Sequence, residues 1–123
     1  MKVLIVALPQ KISKNQFEPL ELAPMAIYLL ASILMKNKHE VSIIDPCEFI
    51  QYEHKGDIEE LCAQYIMKKI SSKDIQLIAF SVNSFNWSNT KVIIQRIADN
   101  FPDVKIALGG LHPSIFDKHV LES

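Results

Sequence analysis

The chain has 123 residues, of which 49% are hydrophobic and 22% charged, and its formal net charge is −1. This length suits one domain with a single core. Because acidic and basic residues are interspersed, the composition excludes recognition of nucleic acid or acidic membranes by bulk charge. The N-terminal apolar run lacks a cleavage site, and the apolar segment Leu22–Met35 is too short to span a bilayer. We therefore expect a cytoplasmic protein.

Strand-like and helix-like segments alternate along the chain. The first strand is a continuous apolar run, which is typical of a strand covered on both faces in a parallel sheet. Two stretches, Pro9–Glu21 and Cys47–Gly56, are predicted to be loops, and Pro113 is suited to open a last helix toward Leu121. The predicted strands are Lys2–Leu8, Glu40–Asp45, Ile75–Val82 and Val104–Leu108, and the predicted helices are Leu22–Lys38, Asp57–Ile70 and Ser88–Asn100.

This alternation predicts an α/β fold with a doubly wound parallel sheet in the strand order 2-1-3-4. The switch point then falls between strands one and three, where ligands bind beyond the carboxyl ends of the strands. The loops at that edge are Pro9–Glu21, Asn83–Asn89 and Gly109–Ser114. Strand four is apolar and would form an open edge. We therefore expect that this sequence is an N-terminal piece of a longer protein. A fifth strand would follow it and cover this edge.

The first predicted helix is apolar on more than one stripe, which is typical of a helix covered on two sides. One side would be the sheet, and the other a further domain, a ligand or a second subunit. Phe85 and Trp87 follow strand three and are costly to expose. They either pack on the third helix or contact a large flat ligand.

Several kinds of site are excluded by what the strand ends lack. The first strand-to-helix connection has no glycine, which excludes the dinucleotide fingerprint and the P-loop. Ala7, Leu8 and Pro9 stand where a phosphorylation receiver needs acidic residues. A flavin site of the flavodoxin type needs a hydroxyl-rich, glycine-containing phosphate loop after strand one. Ser13 alone gives such a loop only weak support. Neither the histidines nor the two cysteines form a metal-ligand pattern, and no residue has a context for nucleophilic catalysis.

Two of the three glycines in the chain, Gly109 and Gly110, stand together where the fourth predicted strand stops. Glycines remove Cβ atoms, permit positive φ and let a bulky group lie along a strand end. A tight turn before a helix is the alternative explanation for the pair.

Several motifs together resemble the N-terminal cobalamin-binding domain of cobalamin-dependent radical SAM enzymes. The resemblance covers nearly the whole chain, and Gly-Gly-x-His-Pro-Ser/Thr is its most specific part. The motifs are Pro19-Leu20-Glu21-Leu22-Ala23, Leu29-Leu30-Ala31-Ser32-Ile33-Leu34, His39-Glu40-Val41-Ser42-Ile43-Ile44-Asp45, Ser81-Val82 and Gly109-Gly110-Leu111-His112-Pro113-Ser114.

This resemblance implies a Rossmann-like fold that holds cobalamin at the carboxyl edge of its sheet. The glycine pair would give the nucleotide tail of the cofactor room, and His112 and Ser114 would line its path. Ser81 and the residues from Asn83 to Asn86 would face the corrin, while residues between Leu8 and Leu20 would close over its side. The implied cofactor-binding residues are Leu8, Pro9, Pro19, Leu20, Ser81, Asn83, Ser84, Phe85, Asn86, Gly109, Gly110, His112 and Ser114.

The resemblance also implies a downstream radical SAM domain on the same polypeptide, with a 4Fe–4S cluster and S-adenosylmethionine. That domain would carry out methyl transfer or ring formation, as in anaerobic magnesium-protoporphyrin ester cyclases. The chain itself contains no Cys-x-x-x-Cys-x-x-Cys and no catalytic residue is assigned to it.

Two further departures from related patterns bear on the site. Lys38 stands where the family usually has glycine before His-Glu-Val, a position at the end of a helix. The Asp-x-His-x-x-Gly motif of methionine-synthase-like domains is missing, so the first loop supplies no histidine ligand to cobalt. Two alternatives stay open, a flavodoxin-like domain for a small ligand or flavin, and a non-catalytic cobalamin sensor or interaction domain.

Overall fold

The structure is a computed structural model that describes residues 1–8, 11–13, 16–17, 25–81 and 87–109. Its main sheet has four parallel strands in the order β4-β1-β5-β6. In the order of the predicted strands this is 2-1-3-4, so the predicted Rossmann-like doubly wound topology is confirmed. The strands are β1 (Lys2–Ala7), β4 (Glu40–Ile44), β5 (Leu77–Ser81) and β6 (Lys105–Gly109).

Three α-helices connect the strands of this sheet. They are α1 (Met25–Lys36), α2 (Ile58–Lys73) and α3 (Trp87–Asn100). The start of α2 follows from its sequence, because the Asp57 carboxylate accepts hydrogen bonds from the backbone N–H groups of Glu59 and Glu60. None of the helices among the described residues is long and apolar enough to cross a membrane.

The alternation of side chains along β1 divides the core into two layers. Val3, Ile5 and Ala7 pack with Ile27 and Ala31 of α1 on one face of the sheet. The opposite face carries the larger cluster, in which β1 side chains meet those of α2 and α3. Members of that cluster with 1% exposure or less include Leu4, Val6, Ile44, Phe49, Ile58, Ile66, Ile78, Ile93 and Ile97.

Two stretches predicted as loops contain regular structure. Within Pro9–Glu21, a short antiparallel ribbon pairs β2 (Lys11–Ser13) with β3 (Gln16–Phe17). After β4, a 3-10 helix spans Pro46–Tyr52, and its Phe49 side chain is fully buried. These segments are short, and their pattern is set by contacts with the core, so periodicity along the sequence does not reveal them.

The outer face of α1 is exposed in this chain. Leu29 is 66% exposed, Ile33 51% and Met35 62%, whereas Ile27 and Ala31 are buried against the sheet. The sequence predicted that this helix is covered on more than one side. Among the described residues, only the side of α1 that faces the sheet is covered.

The end of α1 explains the departure at Lys38. Its φ is 66°, in the left-handed region that glycine adopts most easily, and the N–H of His39 donates to the carbonyl of Leu34. Lys38 therefore adopts a C-terminal cap conformation to which glycine is better suited than lysine.

Candidate functional site

The carboxyl ends of three parallel strands lie in one row. Ala7 of β1 pairs with Ser81 of β5, and Ser81 pairs with Gly109 of β6. On the other side of β1, β4 ends at Ile44, the register partner of Val6, and Asp45 follows. The row coincides with the edge at which a doubly wound sheet binds its ligand.

Three of the predicted site residues lie within the described part of the chain, and they are Leu8, Ser81 and Gly109. Ser81 and Gly109 are brought together at the row of strand ends, and both border the same cavity. Leu8 is 4% exposed and packs in the larger core cluster, on the opposite side of the sheet from α1. The residues outside the described part are Pro9, Pro19, Leu20, Asn83, Ser84, Phe85, Asn86, Gly110, His112 and Ser114.

The cavity lies between α1 and the carboxyl halves of the strands, and its volume is about 330 Å³. On the sheet side its floor carries small side chains in alternate positions, Ala79 and Ser81 on β5 and Ala107 and Gly109 on β6. Ile27 and Leu30 of α1 form the facing wall. Because α1 packs over β1 and β4, the neighbouring surface of β5 and β6 stays open in the described part of the chain. The crevice is therefore bounded by apolar atoms and by one hydroxyl.

Gly109 belongs to β6 and does not sit in a turn. A Cβ atom added there would meet no described heavy atom within 4 Å, and the φ of Gly109 lies outside the left-handed region. The described part of the fold thus gives no packing or backbone reason for glycine at this position. The missing side chain instead leaves the crevice open at its end.

Sequence reasoning missed seven residues that line this cavity, Ile5, Ile27, Leu30, Ala79, Phe80, Ala107 and Leu108. The two alanines had a detectable signal, because each precedes Ser81 or Gly109 by two positions and so shares its face of the sheet. The two α1 residues had none, because which helical stripe faces the crevice depends on where the helix lies.

The first turns of α3 carry two buried polar residues near the strand ends, Asn89 with 3% exposure and Thr90 with none. Trp87, at the start of the same helix, is half-buried and packs against the larger core cluster. Of the two roles considered for Trp87, the structure shows packing within the protein, against this core cluster, with Trp87 itself as the first residue of the third helix. The corresponding question for Phe85 falls outside the described residues.

A chain of hydrogen bonds starts from Asp45 at the end of β4. The phenol of Tyr28 on α1 donates to Asp45 Oδ2 at 2.7 Å, and the N–H of Cys47 donates to Oδ1 at 2.9 Å. Partial burial alone would raise the pKa of Asp45, but these two hydrogen bonds lower it below its ordinary value. The same bond to Asp45 raises the pKa of Tyr28. Asp45 is thus a stable anion at neutral pH.

The chain of hydrogen bonds continues through the 3-10 helix. The backbone N–H of Asp45 donates to Glu48 Oε2 at 2.7 Å, and the Tyr65 phenol of α2 donates to Glu48 Oε1 at 2.7 Å. The hydrogen bond to Glu48 raises the pKa of Tyr65 to about 12. These contacts link α1 and α2 around the edge strand β4.

A second, larger cavity of about 520 Å³ runs along α2. It extends toward the amino ends of the strands, where Lys73 also borders a small cavity with Lys2 and Glu40. Its lining residues are Tyr52, Leu61, Gln64, Tyr65, Lys68, Lys69, Ser72 and Lys73. It shares no residue with the crevice beside Gly109.

Residues 19–123 match the family model described as B12 binding domain. The chain belongs to the B12-binding domain family. This match supports cobalamin as the ligand and agrees with the parallel sheet of order 2-1-3-4. No curated protein and no solved structure matches the chain.

The crevice of this B12-binding domain fits part of a corrinoid. Its volume of about 330 Å³ lies at the lower end of the size of small-ligand pockets, roughly 300–1,000 Å³. Gly109 leaves space that a side chain would occupy. Among the described residues no group of three or more His, Cys, Asp or Glu could hold a metal ion. From these residues, the crevice can accommodate an organic part of the cofactor, and none of them is assigned to the cobalt.

Proposed function

We propose that this B12-binding domain holds cobalamin at the carboxyl edge of its sheet, with the nucleotide tail in the crevice between α1 and strands β5 and β6. The observation that carries the proposal is the open space at Gly109, at the end of a crevice floored by small side chains. A flat aromatic base gains free energy from burial among apolar groups such as Ile27 and Leu30. Ser81 adds one hydroxyl to this otherwise apolar lining.

The remaining predicted contacts complete this proposal. The segment Asn83–Asn86 would face the corrin from the loop after β5, and Pro9, Pro19 and Leu20 would close over its side. Gly110, His112 and Ser114 would continue the path of the tail beyond Gly109. Each of these assignments rests on the motif resemblance, and no catalytic role is assigned to any of them.

Binding is tested by mixing the purified chain with hydroxocobalamin or with flavin mononucleotide and removing free ligand by gel filtration. We expect the protein fraction to retain the corrinoid in equimolar amount, with a change in the visible spectrum, and to retain no flavin. Retention of flavin alone would support the flavodoxin-like alternative, and retention of neither ligand would overturn the proposal.

We further propose that the domain presents cobalamin to a downstream radical SAM domain for methyl transfer or ring-forming chemistry. The exposed apolar face of α1, with Leu29, Ile33 and Met35 each more than half exposed, supports a neighbouring domain at this side. In that protein the 4Fe–4S cluster and S-adenosylmethionine belong to the neighbour. The coding sequence after Ser123 tests this, because it should contain Cys-x-x-x-Cys-x-x-Cys. A sensor or other non-catalytic protein would lack that motif.

A further inference from the structure

The width of the crevice depends on where α1 lies, because α1 forms the wall that faces the sheet. Ile27 and Leu30 line that wall, and Tyr28 stands between them on the same turn of the helix. Ile27 and Ala31 pack α1 onto the sheet through apolar contacts, which are not directional. A directional contact on this turn would therefore have a strong effect on the position of the wall.

Tyr28 makes such a contact. Its phenol donates to Asp45 Oδ2 at 2.7 Å and so joins α1 to the end of the edge strand β4. Two other side-chain hydrogen bonds act differently, since Ser32 of α1 and Asn37, the residue after α1, donate to the carbonyls of Tyr28 and Ile33 within the helix itself. The bond from Tyr28 therefore connects the wall of the crevice to the sheet.

The acceptor of this bond is held in place. Asp45 Oδ1 accepts from the N–H of Cys47, and the N–H of Asp45 donates to Glu48. Because the carboxylate of Asp45 is fixed by its own neighbours, the Tyr28 bond fixes α1 relative to the strand ends.

We propose that Tyr28 and Asp45 are positioning residues whose hydrogen bond sets the width of the crevice and thereby the retention of corrinoids that carry a nucleotide tail. The inference rests on the proposed function and deepens it. Tyr28 and Asp45 act through Ile27 and Leu30, which line the crevice, and are assigned no contact with the reacting centre. Loss of the bond would let this turn of α1 move and would weaken the fit of the tail without altering the surface offered to the corrin ring.

The test compares hydroxocobalamin with cobinamide, a corrinoid that lacks the nucleotide tail. Dissociation constants for both ligands are measured by visible titration for the wild type, Tyr28→Phe and Tyr65→Phe. Tyr65→Phe is the matched control, because it removes an equally long phenol–carboxylate bond on the opposite side of the sheet. It leaves in place the groups that form the three hydrogen bonds of Asp45, which are Tyr28, Cys47 and Glu48. Thermal unfolding without ligand shows whether each variant is folded.

We expect Tyr28→Phe to weaken binding of hydroxocobalamin about threefold to tenfold, the effect of losing one modest hydrogen bond, and to leave cobinamide binding unchanged. Tyr65→Phe should leave the ratio of the two constants as in the wild type. Asp45→Ala combined with Tyr28→Phe should shift that ratio no further than Tyr28→Phe alone, because both changes remove the same contact.

An unchanged ratio in Tyr28→Phe, or equal weakening of both ligands, would overturn the inference while leaving the proposed function standing. If Tyr28→Phe does not fold, the single variant Asp45→Ala, which removes the acceptor, gives the same comparison. Failure of the wild type to bind either corrinoid would overturn the proposed function, and the inference with it.

Discussion

Ser81 and Gly109 are register partners at the carboxyl ends of the neighbouring parallel strands β5 and β6. Both border the crevice beneath α1, so a half-buried serine and an exposed glycine lie side by side at its floor. Parallel pairing places the two residues in one row although 28 positions separate them in the sequence. The pair therefore marks where the structure leaves room for a ligand.

Replacing Gly109 with valine should affect binding much more than folding. A Cβ atom at this position meets no described heavy atom within 4 Å, and valine is favoured over glycine in a strand, so the free energy of unfolding should change by less than about 1 kcal/mol. Filling the crevice should cost a bound tail about 1–3 kcal/mol, which is about fivefold to 150-fold in Kd for hydroxocobalamin.

The control for this variant is Lys105→Val, a β-branched side chain on the same face at the other end of β6. It should bind hydroxocobalamin like the wild type. Wild-type affinity in Gly109→Val, with both variants folded in a urea titration, would contradict the placement of the tail.

Lys38→Gly should stabilise the chain by about 0.5–1 kcal/mol, because glycine adopts the left-handed φ of 66° without the steric cost of a Cβ. Urea denaturation followed by circular dichroism measures the change. Lys36→Gly changes the last residue of α1, which has a helical backbone, and should instead destabilise the chain by up to about 1 kcal/mol. Equal effects of the two substitutions would argue against the cap conformation at Lys38.

Asp57→Ala should lower the free energy of unfolding by about 0.5–2 kcal/mol. The carboxylate of Asp57 accepts hydrogen bonds from the first turn of α2, and alanine leaves those N–H groups without their partner. Asp57→Asn keeps an acceptor and should retain most of the stability. A neutral effect of alanine in the same urea titration would indicate that water replaces the cap at no cost.

Alkaline titration of the tyrosines should proceed at unusually high pH. The pKa values of Tyr28, Tyr52 and Tyr65 are all raised, and that of Tyr65 reaches about 12 because its phenol donates to Glu48. A raised folded-state pKa favours the protonated phenol, so this stabilisation is complete below the unfolded value near pH 10 and is lost as pH approaches 12.

Ultraviolet difference absorbance measures this ionisation. Tyr65→Phe should remove the component that titrates highest, while the components from Tyr28 and Tyr52 remain. A single transition near pH 10 for all three phenols of the native wild type would contradict the hydrogen bond to Glu48.

The two cysteines of the chain should differ in reactivity toward a thiol reagent such as DTNB. Cys62 is 1% exposed and burial raises its pKa to about 12, so its thiolate is scarce and shielded at neutral pH. Cys47 is exposed, although its interaction with Asp45 raises its pKa and should slow the reaction. One thiol should therefore react in the native chain and two in denaturant.

Cys47→Ser identifies the reactive group in that experiment. The native variant should be inert, and its remaining thiol should react only after unfolding. Rapid labelling of this variant under native conditions would show that α2 opens readily around Cys62.

Much of the fold could be predicted because its elements have strong local patterns. The unbroken apolar run of β1 indicated a central strand, and Asp57 marked the start of α2 within one residue. The 3-10 helix was missed because burial of Phe49 supports it, and this burial depends on residues far away in sequence. The antiparallel ribbon between β1 and α1 was not predicted, because β3 has only two residues and so cannot show an alternating hydrophobic pattern.

The sequence by itself determined the order of the elements, the parallel sheet and the unusual glycine pair, since hydrophobic period and glycine content are local properties of the chain. Only the tertiary structure decided that Gly109 lies within a strand, that Ala79 and Ala107 share its face, and that Tyr28 reaches Asp45. Strand register and the position of α1 depend on packing between distant segments. A crevice is the space left between such segments, so no single stretch of sequence encodes it.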